Sequence, residues 1–108
     1  MTQGELYSDY DQWNTRSRTI ERIKFFAKHG FKYVVRDENS NFLTLFSIKP
    51  KRYTKYGDGF WGYPDGAMQR KDLNCIPAQL IKNRDITEIS YHNKSATLIK
   101  DFLKQQAK

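Results

Sequence analysis

The sequence predicts an α+β domain: an antiparallel sheet of three or four strands, with an N-terminal helix, a short middle helix and a C-terminal helix packed on one face. Three observations lead there. Apolar residues recur at helical spacing near both ends of the chain, alternating β-rich runs lie between them, and no long polar linker divides the 108 residues. A chain of this length forms one core, burying roughly two thirds of the surface exposed by the unfolded chain.

The first helix is read from about Thr15 to His29. Ile20, Ile23, Phe26 and Ala27 recur at steps of three and four, and Phe25 widens the apolar stripe. Asn14, Thr15 or Ser17 can cap its start, and Gly30 stands where a left-handed residue ends a helix. Its polar face sets Arg18 and Arg22 four apart, and Lys24 and Lys28 four apart.

Phe31 to Arg36 and Phe42 to Lys49 are aromatic, β-branched and Leu-rich, and Asp37 to Asn41 is a polar turn cluster between them. They predict a hairpin. Phe31, Tyr33 and Val35 share one face of the first strand, and Phe42, Thr44, Phe46 and Ile48 one face of the second, an apolar surface for the helix to cover. Pro50 lacks a backbone N–H and ends regular pairing or confines it to an edge.

Further on, Gly57, Gly59, Gly62 and Gly66 predict turns, with one short strand at Phe60, Trp61 and Tyr63. Leu73 to Lys82 is expected to contain a short helix starting near Pro77, since proline suits a first helical position. Ile86 to Tyr91 alternates as a strand. Ser95 is placed to cap a closing helix with a stripe of Leu98, Ile99, Phe102 and Leu103. Residues 1 to 14 read as an acidic, aromatic arm preceding a domain of residues 15 to 108, with Tyr7, Tyr10 and Trp13 packing partly on the domain or on a partner.

Nineteen Lys and Arg against twelve Asp and Glu leave a net charge of +7, a field felt by polyanions and acidic protein surfaces. The charge is unevenly placed. Glu5, Asp9 and Asp11 make residues 1 to 15 acidic, while Arg16, Arg18, Arg22, Lys24, Lys28 and Lys32 face Glu21 alone in the next stretch. A second cluster, Lys49, Lys51, Arg52 and Lys55, contains no acid. The N-terminus has neither a basic start nor an apolar export segment, and no apolar run approaches the roughly 18 residues of a membrane helix. Cytoplasmic residence is expected. The single cysteine, Cys75, excludes an internal disulfide and reads as a small buried residue.

Catalytic signatures are missing. There is no G-x-S-x-G, no phosphate loop ending G-K-[ST], no H-E-x-x-H and no paired cysteines, and no Glu opens the E-x-K of metal-dependent nucleases. Neither a metal nor another cofactor is expected. His92, Asn93 and Lys94 form the one cluster with acid–base potential, at a turn where Asn commonly caps.

Lys49 to Tyr56, KPKRYTKY, interleaves cations with rings and is followed by Phe60, Trp61 and Tyr63. Single-stranded nucleic acid is held by that combination, since Lys and Arg neutralise phosphates while bases stack on aromatic faces. The same residue types make protein-interface hot spots, or simply cover a small core. The candidate contact residues are therefore Lys49, Lys51, Arg52, Tyr53, Lys55, Tyr56, Phe60, Trp61 and Tyr63, joined by Arg18 and Arg22 on the helix.

FFAKHGFKYVVRDENSNFLTLFSIKPKR, Phe25 to Arg52, and ITEISYHNKSATLIKDFL, Ile86 to Leu103, resemble small accessory proteins of Gram-positive phages and prophages. In that set a first helix leads into a hairpin ending near Lys-Pro, and a late strand enters the last helix through an acidic turn of the type E-P-T-L-I. Here Ser95-Ala96-Thr97-Leu98-Ile99 replaces the acidic and proline residues. Some phage proteins of this size are anti-CRISPRs against type II effector nucleases. The resemblance thus implies a non-enzymatic inhibitor, working in an infected or lysogenic bacterium, that binds an RNA-guided nuclease, its guide RNA or its target DNA. A charge of +7 disfavours imitation of DNA, unless the acidic arm Glu5 to Asp11 does it locally. The alternative is a basic nucleic-acid-binding protein of phage replication or regulation.

Overall fold

The computed structural model describes residues 13–54, 57–64 and 76–106. Helix α1 (Arg16–Lys28) is followed by β1 (Tyr33–Arg36), β2 (Phe42–Phe46), β3 (Lys51–Tyr53), β4 (Phe60–Gly62), β5 (Gln79–Lys82), β6 (Thr97–Leu98) and helix α2 (Ile99–Gln106). Four strands form an antiparallel sheet in the order β5-β2-β1-β6, and β3 and β4 pair separately as a second antiparallel sheet. The α+β class and a four-stranded antiparallel sheet agree with the sequence reading. The second sheet is an addition to it.

Local chemistry fixes α1 at both ends. Thr15 Oγ1 accepts the N–H of Arg18 at 3.1 Å, which satisfies one of the four unpaired first-turn donors. At the other end Gly30 takes φ +100°, Phe31 N–H donates to Phe26 O at 3.2 Å and Gly30 N–H to Ala27 O at 3.4 Å, the paired bonds of a Schellman motif. Its accompanying apolar contact is the edge-to-face pair Phe26–Phe31, with centroids 5.4 Å apart.

The register of the β1–β2 hairpin, with Tyr33 opposite Phe46 and Val35 opposite Thr44, sorts side chains onto two faces. Val34, Leu43, Leu45 and Ile81 join Ile23 and Phe26 of α1 and Ile99 and Phe102 of α2 in one core. Val35 and Phe46 join Trp61, Tyr91 and Ala96 in a second, against which Tyr33 and Tyr63 pack. The expected face sets are therefore real but were matched to the wrong partner: the Tyr33, Val35, Thr44, Phe46 face meets the β3–β4 hairpin, and the helices cover the alternate residues. Phe31 misled the parity because it precedes β1 and turns into the helix-side core. The molecule has three layers, with the four-stranded sheet between two helices and a small hairpin.

Two further expectations are corrected. Gln79 to Lys82 is a strand, not part of a helix beginning at Pro77; Leu73 to Cys75 lie outside the described residues, so two helices are described, not three. Four residues cannot display a helical period, and pairing along β2, Phe42 with Lys82 through Leu45 with Gln79, satisfies their backbone. Ile86 to Tyr91 forms turns instead of a strand. Ile86 and Ile89, three apart, both enter the helix-side core, and the backbone groups of this segment go to side chains. Asn83 Oδ1 accepts the N–H groups of Asp85 and Ile86, each at 2.9 Å, while Arg36 donates to the carbonyls of Ser40, Asn83, Ile86 and Ile89 at 2.7–3.1 Å. Ser95 does not cap the last helix, because Thr97 and Leu98 first pair with β1 and the helix starts at Ile99.

Asn14, the last residue of the arm, packs on the domain. Asn14 is buried, its N–H donates to Lys82 O at 2.9 Å, and its own carbonyl accepts from Asn83 Nδ2 at 3.0 Å. Tyr7, Tyr10 and Cys75 lie outside the described residues. No helix among the described residues is long and apolar enough to cross a membrane.

Candidate nucleic-acid interface

Chain alternation divides the β3–β4 hairpin into an inner and an outer face. Lys51 opposes Gly62, Arg52 opposes Trp61 and Tyr53 opposes Phe60. Trp61 is 7% exposed and sits in the hairpin-side core, so Arg52 and Trp61 form the inner face. The Arg52 guanidinium lies 4.7 Å from the Trp61 ring centroid and 5.2 Å from that of Tyr91, and it donates to Asn93 O. It is held between two rings and a carbonyl, and so pins the hairpin to the body. Tyr63 also faces inward: its hydroxyl accepts Ser47 N–H at 3.0 Å and donates to Ile76 O.

Lys51, Tyr53 and Phe60 form the outer face. The Tyr53 and Phe60 rings stack with centroids 5.1 Å apart and 14° between planes. Phe60 is 44% exposed, so its outer surface is open to a ligand. The Tyr53 hydroxyl donates to Tyr63 O at 2.9 Å, fixing the ring, and Lys51 Nζ lies 5.5 Å from its centroid. Gly62 completes the face with bare backbone; an added Cβ there would come within 3.4 Å of the Tyr53 ring. Lys49 is exposed just before this face, and Lys55 and Tyr56 lie outside the described residues.

Arg18 and Arg22 do not join this surface. They belong to α1, across the central sheet from the hairpin. Arg18 Nε donates to Asn14 Oδ1 at 2.9 Å, and the Arg22 guanidinium lies 5.4 Å and 5.3 Å from the Phe25 and Phe26 rings. Arg16, at the start of the same helix, is paired with the Glu88 carboxylate and also donates to Gln106 Oε1 at 2.7 Å. The hydrogen bond from Arg16 pulls the Glu88 carboxyl below its usual range, but the pair is solvent-exposed and contributes little to stability. The two basic stretches of the sequence therefore occupy opposite sides of the molecule.

Two carboxylates tie the hairpin to the β1–β2 turn. Asp37 Oδ1 accepts Trp61 N–H at 2.8 Å, and Glu38 Oε1 accepts Gly59 N–H at 2.9 Å. Burial raises the Asp37 carboxyl above its ordinary range, only partly offset by the Trp61 N–H. A raised folded pKa means the native state holds this proton more tightly, so Asp37 subtracts stability as pH rises from the ordinary carboxylate range through the folded value. Asp37→Asn keeps an acceptor for Trp61 N–H. It is expected to equal or exceed the wild type in stability at pH 7, with a smaller loss between pH 4 and pH 7, measured by urea denaturation at both pH values. An unchanged pH dependence would count against this assignment.

The sequence pointed to the outer-face residues but could not separate them from Arg52 and Trp61, because that division depends on which face meets the body. It missed Lys82 and Arg84, whose ammonium and guanidinium lie 4.6 Å and 4.5 Å from the Trp13 ring centroid. No local signal joins residues about seventy positions apart. Among the described residues no group of three His, Cys, Asp or Glu side chains could hold a metal ion. Compared with family models, curated proteins and solved structures, the chain matches none.

Proposed function

We propose that this is a non-enzymatic binding protein that takes single-stranded RNA or DNA on the outer face of the β3–β4 hairpin. The observation that carries the reading is the 44% exposed Phe60 ring, stacked on Tyr53 and beside Lys51. A base can stack on Phe60 while Lys51 and Lys49 neutralise adjacent phosphates, and neither contact demands a particular base. The contact set is smaller than the sequence suggested: Arg52, Trp61 and Tyr63 support the face from behind.

The test is direct titration of a labelled oligothymidylate across a range of salt concentrations. Wild-type protein is expected to bind more weakly as salt rises, Lys51→Ala to reduce the slope of log K against log salt by about 0.7, and Phe60→Ala to weaken binding ~5- to 150-fold, the equivalent of one lost stacking contact. No binding at low salt, or an unaltered Phe60→Ala, would sink the reading.

The resemblance to phage accessory proteins suggests a narrower role, in which the bound strand is the guide RNA or target DNA of an RNA-guided type II nuclease and binding blocks cleavage. A basic outer face suits the nucleic-acid component of such a complex better than a DNA-binding channel. In that role wild-type protein protects target DNA in a cleavage assay at near-equal ratio to the nuclease, and Phe60→Ala relieves the protection.

A further inference from the structure

We propose that Trp13, Lys82 and Arg84 form a second subsite for the same single strand, the indole receiving a base and the two cations its flanking phosphates. This rests on the nucleic-acid reading above. Trp13 is 46% exposed, and it and Phe60 are the two large apolar side chains left this open among the described residues. Its position is built, not incidental. The backbone of the next residue is bonded on both sides, Asn14 N–H to Lys82 O at 2.9 Å and Asn83 Nδ2 to Asn14 O at 3.0 Å, so the indole is anchored alongside the end of β5.

The Lys82 ammonium and Arg84 guanidinium lie against this ring at 4.6 Å and 4.5 Å from its centroid, and neither has a carboxylate within salt-bridge distance among the described residues. Cations held on an indole keep N–H donors for a phosphate, while an exposed ring offers surface to a base. The neighbouring carboxylates of Asp37 and Glu38 accept the Trp61 and Gly59 amides, so they are held at the hairpin and not against Lys82 or Arg84.

Topology brings the two aromatic sites to the same end of the molecule. Lys82 pairs with Phe42 and Asn83 N–H donates to Asn41 O, on one limb of the β1–β2 turn. On the other limb, Glu38 N–H donates to Gly59 O, next to Phe60. One extended strand passing the turn tip can meet both platforms, whereas a very short oligonucleotide meets one.

The experiment uses oligothymidylates of about 4 to about 16 nucleotides, the range of site sizes seen for single-strand binders. The chain has two tryptophans, and Trp61 is buried, so Trp13 is the reporter of stacking. Long oligonucleotides are expected to quench tryptophan emission, and Trp13→Phe to abolish the quench. The double variant Lys82→Ala/Arg84→Ala should bind long oligonucleotides about tenfold more weakly, with the salt slope reduced by about 1.4, and the shortest ones unchanged. If long oligonucleotides bind in a Phe60-dependent way but the double variant keeps wild-type affinity and slope, the subsite is wrong and the hairpin reading stands. If no oligonucleotide binds the wild type, both fall together.

Discussion

Replacing Arg36 by Met is expected to cost about 2–4 kcal/mol of stability, the cost of leaving several part-buried carbonyls without their charged donor. Arg36 emerges from the end of β1 on the helix-facing side and donates to four main-chain carbonyls, those of Ser40, Asn83, Ile86 and Ile89, with no carboxylate among them. Burial lowers its pKa from the ordinary arginine value, the signature of a cation taken partly out of water. Those carbonyls hold the turns that carry Ile86 and Ile89 into the core, which otherwise lack a β-ladder to satisfy them. Lysine offers three donors from one point in place of a planar fork, so Arg36→Lys is expected to recover only a minor part. Urea unfolding measures the loss. Hydrogen exchange at Ile86 and Asp85 should accelerate more than exchange in α1, and a loss below about 1 kcal/mol would show that solvent can replace the guanidinium.

The second large effect belongs to Gly59. The Tyr91 phenol lies directly where a Cβ on Gly59 would be built, and Tyr91 is itself buried between the hairpin and the body, edge-on to Trp61 at 6.5 Å and close to the Arg52 guanidinium. A buried ring in that setting has nowhere to swing, so Gly59→Ala forces the hairpin loop outward and costs about 2–3 kcal/mol, the upper range for overpacking. The cause is separable by a double-mutant cycle. In a Tyr91→Leu background the same Gly59→Ala substitution should cost much less, giving a coupling of more than about 1 kcal/mol. Additive effects would mean that the clash is not the mechanism. Phe60 adjoins Gly59, so Gly59→Ala should also weaken oligonucleotide binding.

Elements with their own local chemistry were legible in the sequence. The first helix could be read because Thr15, the Ile23–Phe26 stripe and Gly30 specify its start, face and end within sixteen residues, and the β1–β2 hairpin because Asp37 to Asn41 break two β-rich runs. Elements defined by distant partners were not. Gln79 to Lys82 is a strand because β2 has an edge to fill, and Ile86 to Tyr91 is not one because Arg36 takes the Ile86 and Ile89 carbonyls and Asn83 the Ile86 N–H. For the candidate site the composition of KPKRYTKY and Phe60-Trp61 was informative, but not the direction of each side chain. That depended on the hairpin lying against the Val35 and Phe46 face, and it turned Arg52 from a candidate phosphate ligand into a pin. Trp13 with Lys82 and Arg84 is a long-range assembly that pattern reading along the chain does not find.

The strand order β5-β2-β1-β6 has a consequence for how the chain assembles. Its central pair is the local hairpin, and both flanking strands come from the second half of the sequence, with Leu98 reaching back to Tyr33 and Ile99 N–H to Lys32 O. During synthesis the hairpin therefore emerges early with two bare backbone edges, and the second is covered only after residue 98 has left the ribosome. Non-local closure of this kind slows folding and leaves strand edges open to other chains in the meantime. Thr97 and Leu98 are thus the segment whose arrival ends the hairpin's period of greatest exposure to self-association.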